Sequence, residues 1–336
     1  MTNTSYPLVT WRWLLSLLIA VPLLASAADP LPAWKDGPSK QAITQFVEAV
    51  TEEGSKDFVA PAERIAVFDN DGTLWSEQPM YFQVLFAFDE ARRLAPEHPE
   101  WKTTQPFKAL LEGDKETLAA SGMDGLMKIV GATHTGISTE EFSARAEAWL
   151  AKAKHPKSGK PYTEMVFQPM LELLDYLRTN GFKTYIVSGG EVAFMRTFAE
   201  EVYGIPPEQV IGTTFATELQ DKDGKLSILR QPKLLHNDDG PGKPVSIDQV
   251  IGRRPILAFG NSDGDLQMLQ WTAAGDGKRF MGLVHHTDAQ REWAYDRESH
   301  VGKLDKALDA AKQGNWTVVD MAKEWRRVYP FETPQP

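Results

Sequence analysis

The sequence predicts an α/β protein: a parallel sheet with a helical segment inserted after its first strand. Three observations carry that expectation. Five short apolar runs do not alternate with polar residues, as expected of strands buried on both faces. Helical patterns separate most of these runs, and strands alternating with helices make parallel sheets. One interval, from Trp75 to Thr163, holds no convincing strand.

Taken in order, the chain opens on "WRWLLSLLIAVPLLASA", with one cation, Arg12, an apolar stretch from Trp13 to Leu24, and Ala25-Ser26-Ala27. A positive residue, a short apolar core and a small-x-small site describe a secretory signal, residues 1–27, cleaved after Ala27. A membrane anchor would need about 20 apolar residues, and this run is shorter and broken by Pro22. The expectation is therefore an exported, periplasmic protein without a stable membrane anchor. Residues 28–38 are a Pro-rich linker, and Lys40 to Glu53 a helix.

The first strand is "RIAVFD", residues 64–69. Helical patterns over 77–95, 104–130 and 139–153 make 76–163 an inserted subdomain between 28–75 and 164–336 of the core. Met170, Leu173, Leu174 and Leu177 lie at helical spacing before Gly181. Strands follow at 183–188 and 209–214. Next comes a hairpin turning near Asp223-Gly224, then the loop "HNDDGPGK". Strands at 255–260 and 279–285 complete the set, and "NWTVVDMAKEWRRVYPF" is expected to be an amphipathic tail packed on the core.

The formal net charge of −10 repels phosphate backbones, which argues against nucleic acid as a partner. The absence of cysteine excludes a disulfide framework. Nothing in the chain indicates an oligomeric state.

Ligands of open parallel sheets bind beyond the carboxyl ends of the strands. Here those ends read Asp69, Ser188-Gly189-Gly190, Gly260-Asn261-Ser262 and His285-His286. "DNDG" at 69–72 has a plain reading as a turn with capping aspartates. Its company favours chemistry. Two close carboxylates repel unless they share a proton or a cation, and Mg²⁺ takes hard oxygens with few protein ligands. One carboxylate can then attack phosphorus while the other exchanges protons with the leaving oxygen and with water.

"VFDNDGTLW", "YIVSGG", a later lysine and "AFGNSDGDLQML" resemble the four motifs of the haloacid dehalogenase superfamily, in the order of its phosphatases. The resemblance covers residues 62–75 and 165–285 and implies a Rossmann-like core with a helical cap. It makes Asp69 the nucleophile and Asp71 the general acid/base, whose main-chain carbonyl binds Mg²⁺. Main-chain N–H groups near Asp71 and Gly72 would hold phosphoryl oxygens, Thr73 would brace the loop, and Ser188 and Gly189 would bind phosphate. Lys243 or Lys233 would be the motif lysine. Lys243 is preferred, because lysine, helix, strand and motif then follow in order.

Asn261 stands where many relatives have a metal-binding aspartate. The implied metal set is Asp69, Asp71, Asn261 and Asp265, with Asp263 as a spare or a helix cap. The insertion and the hairpin resemble the phosphoserine phosphatase branch, in which an acidic residue after the first motif reads the substrate amine. Glu77 lies near that place, at a different spacing. The resemblance implies a Mg²⁺-dependent phosphatase of small phosphomonoesters working through an aspartyl-phosphate. The alternatives are a phosphotransferase using the same intermediate, or a non-catalytic protein that binds a phosphorylated ligand.

Overall fold

The structure is a computed structural model of the 336-residue chain and describes residues 1–4 and 29–333. The predicted signal segment, beyond its first four residues, lies outside the described residues. Among these, no helix is long and apolar enough to cross a membrane.

Seven strands form one sheet: β1 (Ile65–Phe68), β2 (Lys183–Glu191), β3 (Val210–Lys222), β4 (Lys225–His236), β5 (Leu257–Gly260), β6 (Phe280–His285) and β7 (Thr317–Asp320). Their order is β4-β3-β2-β1-β5-β6-β7. Every neighbouring pair is parallel except β3 and β4. The chain builds outward from β1 through β2 to β4, then returns to β5 on the other side of β1. That reversal opens a crevice beyond the carboxyl end of β1, where α/β sheets bind ligands.

The strand sequences follow from this placement. All four residues of β1, and all four of β5, are buried. Ala66 and Phe68 pack into one apolar layer, Ile65 and Val67 into the other, as a period of two requires. Phe68 stacks on Phe259 of β5 with ring centroids 5.9 Å apart. Burying such a ring contributes about 1.5–3 kcal/mol.

Helices α1 (Pro38–Thr51), α2 (Phe82–Leu94), α3 (Phe107–Glu112), α4 (Lys115–Ala120), α5 (Gly122–His134) and α6 (Thr139–Leu150) precede β2, as does α7 (Gln168–Thr179). Helices α8 (Val192–Met195) and α9 (Ala199–Tyr203) lie between β2 and β3. Helix α10 (Gly242–Ile251) precedes β5, and α11 (Leu266–Ala273) precedes β6. Helices α12 (Lys306–Gly314) and α13 (Met321–Glu324) flank β7. The helix expected over 104–130 is divided into three. Asp114 starts a new helix by accepting the Thr117 N–H at 3.0 Å.

Helices α2 to α5 share a small core of Ala87, Ala91, Trp101, Phe107, Leu110 and Ile129, joined by Phe215 of β3. The hairpin turns at Asp223 and Gly224, both at positive φ, so its two-residue turn is of the kind that matches strand twist.

The tail departs from expectation. Residues 317–320 form an edge strand parallel to β6 rather than part of an amphipathic segment. A four-residue edge strand with only Val319 fully buried leaves almost no periodicity to read. Beyond it, Trp325 does pack on the core, edge-on to Trp34 at 5.9 Å.

Candidate active site

The site grows out of β1. Asp69 N–H continues the ladder to Phe259 O at 3.0 Å. The chain then folds back on itself, with Asn70 O accepting from the N–H groups of Thr73, Leu74 and Trp75. Tyr203 anchors this turn from below by donating to Asn70 Oδ1 at 3.1 Å. Gly72 has φ +76°, and a β-carbon there would collide with Asn261 Nδ2 and Glu77 Oε1. Gly72→Ala therefore combines backbone strain with a clash, and is expected to destabilise the protein by about 1–3 kcal/mol while disabling the loop. Denaturant melts beside an activity assay check this, and an unperturbed melt would contradict it.

Lys243 sits in the first turn of α10 with its side chain buried, 2 % exposed. Its ammonium donates to Asp69 Oδ1 at 2.6 Å, Asp265 Oδ1 at 2.6 Å and Val187 O at 2.9 Å. Three protons meet three acceptors from β1, β2 and the loop after β5. Burial works against the charge, but Asp265 and Asp69 outweigh it and hold the ammonium well above its ordinary value. Lys233, the other candidate, lies exposed on β4.

Asp69 is 6 % exposed. Burial pushes its carboxyl well above the usual range; Asp265 and Asp71 add repulsion, and Lys243 opposes them. Its second oxygen has only a 3.5 Å contact from the Thr73 hydroxyl. Thr73 also donates to Asn261 Oδ1 at 3.2 Å, so it braces both groups. Asp71 Oδ1 accepts the Trp75 indole N–H at 2.8 Å, and burial pushes this carboxyl up to about 6. Trp75 itself is stacked on Phe198, 4.4 Å away.

Asp265, expected in the metal set, is otherwise engaged. One oxygen takes Lys243, and the other accepts from the N–H groups of Asn261 and Ser262, each at 3.0 Å. Asp263 caps α12, its Oδ1 accepting from Asp305 N–H and Ala307 N–H at 2.9 Å. The Gly72 N–H, expected to face phosphoryl oxygens, instead closes the turn on Trp75 O at 2.8 Å. Ser188 is buried and accepts the Gly190 N–H at 3.2 Å, while Gly189 is exposed where β2 bulges away from β3. Gly190 lies where Ser188, Asp71 and Gln83 converge. His286 reaches the loop, its Nε2 2.8 Å from Gly72 O and its Nδ1 2.9 Å from Glu292; His285 lies 3.4 Å from Asp296 instead.

Gln83, Glu191 and Arg230 carry no signal in the sequence. Gln83 of α2 accepts the Glu191 N–H at 2.8 Å and so ties the inserted segment to the end of β2. Glu191 pairs with Arg230 of β4, both buried, and Arg230 lies 4.0 Å over the Phe142 ring. Glu77 is buried against Asn261 and Tyr295. Burial first, and then Asp71 and Asp69, push Glu77 well above its ordinary value, with the Tyr295 hydrogen bond opposing them.

No curated protein matches the chain. Among solved structures, a protein of unknown function from Anaerococcus prevotii superposes with a TM-score of 0.53 at 17% identity, over 84% of this chain and 91% of that one. A Bordetella pertussis protein of unknown function gives 0.47 at 15% identity, covering 77% and 99%. A phosphoserine phosphohydrolase-like protein from Francisella tularensis gives 0.37 at 20% identity, covering 66% and 87%. The model of the haloacid dehalogenase-like hydrolases matches residues 66–270, from the second residue of β1 to within α11, and so spans every side chain around Lys243. The chain belongs to the haloacid dehalogenase-like hydrolase family.

Proposed function

We propose that this hydrolase is a Mg²⁺-dependent phosphatase of small phosphomonoesters, exported from the cytoplasm, with residues 76–163 as a cap over the site. The observation that carries it is the setting of Asp69: Lys243 holds one oxygen, and the other is left with a single long contact. A carboxylate so held is oriented to attack.

Among the described residues, no three His, Cys, Asp or Glu side chains form a metal cluster. The donors proposed here include an amide and a main-chain carbonyl, which suit a hard cation. Asp69 Oδ2, the Asp71 carbonyl and Asn261 Oδ1 would hold it, with Asp265 fixing the loop that carries Asn261. The Thr73 hydroxyl lies 3.5 Å from Asp69 Oδ2 and 3.2 Å from Asn261 Oδ1, so two of the proposed donor oxygens converge on one place, which fits this reading. Bound Mg²⁺ would supply positive charge to the phosphoryl oxygens.

In the first step Asp69 forms a bond to phosphorus as the ester P–O bond breaks, and Asp71 gives its proton to the departing alcohol. A carboxyl raised to about 6 still carries a useful proton near neutrality. Water then attacks phosphorus, Asp71 takes its proton, and phosphate leaves as the Asp69 carboxylate reforms. Lys243 neutralises charge on Asp69 throughout. The inserted helices exclude water in the first step, and Gln83 couples them to the end of β2.

The test is phosphate release from a panel of phosphomonoesters by the purified protein, with Mg²⁺ or with excess chelator. Metal-dependent turnover is expected; a protein equally inert, or equally active, in both conditions would refute the proposal. For export, mass spectrometry of the protein recovered outside the cytoplasm is expected to find Ala28 as the first residue. An intact N-terminus there would remove the cleaved-signal reading.

A further inference from the structure

Glu77 is a buried carboxylate to which the proposed steps give no task. It is 1 % exposed, and its Oε1 accepts from Asn261 Nδ2 at 2.6 Å and from the Tyr295 hydroxyl at 2.8 Å. Two loops are built around this one oxygen. Gly72, after β1, and Gly302, before α12, both have positive φ, and a β-carbon at either would collide with Glu77 Oε1. Ionised beside a bound cation, Glu77 can only accept, and it then dictates which way the Asn261 amide faces. The nitrogen turns to Glu77, and the oxygen turns to Thr73, whose hydroxyl also contacts Asp69. An aspartate at 261 would set a second carboxylate against Glu77 at hydrogen-bond distance, where both could not stay ionised.

We propose that Glu77 and Asn261 act together as one anionic arm for the divalent cation. Asn261 Oδ1 touches the ion, and Glu77, through its hydrogen bond to Nδ2, supplies the charge an amide lacks and locks its orientation. The inference rests on the phosphatase reading of this site. It makes Glu77 a positioning residue for the cation, with Oε1 held by two donors, Asn261 Nδ2 and the Tyr295 hydroxyl. It also accounts for an amide at the place of a metal-binding aspartate, because the carboxylate has moved to a neighbouring chain segment.

The test is Mn²⁺ binding to metal-free protein, read from the electron paramagnetic resonance signal of free Mn²⁺, for the parent, Glu77→Gln, Asn261→Asp and the double variant. Glu77→Gln keeps an acceptor but loses the charge, and is expected to weaken Mn²⁺ by about 10- to 100-fold, as loss of an outer partner of a metal ligand does. The double variant restores one carboxylate without its rival, and is expected to return to within about threefold of the parent. Asn261→Asp alone is expected to melt below the parent in metal-free buffer and to recover when Mn²⁺ is added.

A Glu77→Gln protein that melts like the parent and binds Mn²⁺ equally well would overturn the pairing. So would a double variant as weak as Glu77→Gln, and this second comparison decides the matter if the single variant folds poorly. A parent that binds no Mn²⁺ and hydrolyses esters unaffected by chelator would instead remove the metal reading itself, and the pairing with it.

Discussion

Asp69→Asn is expected to abolish metal-dependent phosphate release, by at least about four orders of magnitude, as loss of a nucleophile does elsewhere. The amide cannot form the bond to phosphorus. The substitution is nearly isosteric, and its amide oxygen can still accept from Lys243, so the fold should survive. The stability change has a definite sign. Burial and the Asp265 charge hold the Asp69 carboxyl above its ordinary value, so ionised Asp69 costs the native state free energy at neutral pH. Removing that charge also relieves Asp265 and Asp71. Asp69→Asn should therefore melt no lower than the parent at pH 7 while losing turnover. Calorimetry beside the phosphate assay checks both. An inactive variant that also unfolds would mean that Asp69 had been tested only as structure, and a variant retaining a tenth of parental activity would exclude it as nucleophile.

How far the sequence carries depends on where a residue sits. Strands β1 and β5 were readable because they are central, and their apolar runs stop abruptly at Asp69 and Asn261. The hairpin was readable because Asp223-Gly224 takes positive φ at both residues. Strand β7 was not, because one buried valine at a sheet edge makes no pattern. Among site residues the order of lysine, helix, strand and motif pointed to Lys243, and it is Lys243 that lies against Asp69. The partners of Glu77 were out of reach. Tyr295 and Gly302 belong to the irregular stretch between β6 and α12, where neither period applies. Arg230 looked like one charge among several on an alternating hairpin, and only the packing of β4 against α5 and α6 turns it inward to Glu191. Asp263 and Asp265 read alike in "NSDGD", and differ only because one faces α12 and the other faces Lys243.

Lys243→Met is expected to do the most damage to stability. The methionine fills similar space, but leaves Asp69 and Asp265 facing each other in the interior, and Val187 O without a donor. Removing one partner from a buried ion pair costs about 3–5 kcal/mol. The deficit should depend on pH, and its sign follows from linkage. Without the ammonium, which opposes the rise, the native state holds the Asp69 carboxyl even further above its unfolded value than it already stands. The native state then binds more protons than the unfolded chain at the same pH, so stability falls as pH rises. The penalty is full above the raised native value of Asp69 and relieved once the medium is acidic enough to protonate it. Urea melts at pH 5 and pH 8 should show Lys243→Met closer to the parent at the lower pH. Adding Asp265→Asn removes half of the repulsion, and should recover part of the loss at pH 8 without restoring turnover. A deficit equal at both pH values, and untouched by Asp265→Asn, would mean that the lysine contributes by packing its stem, and that its charge is not what holds the two aspartates together.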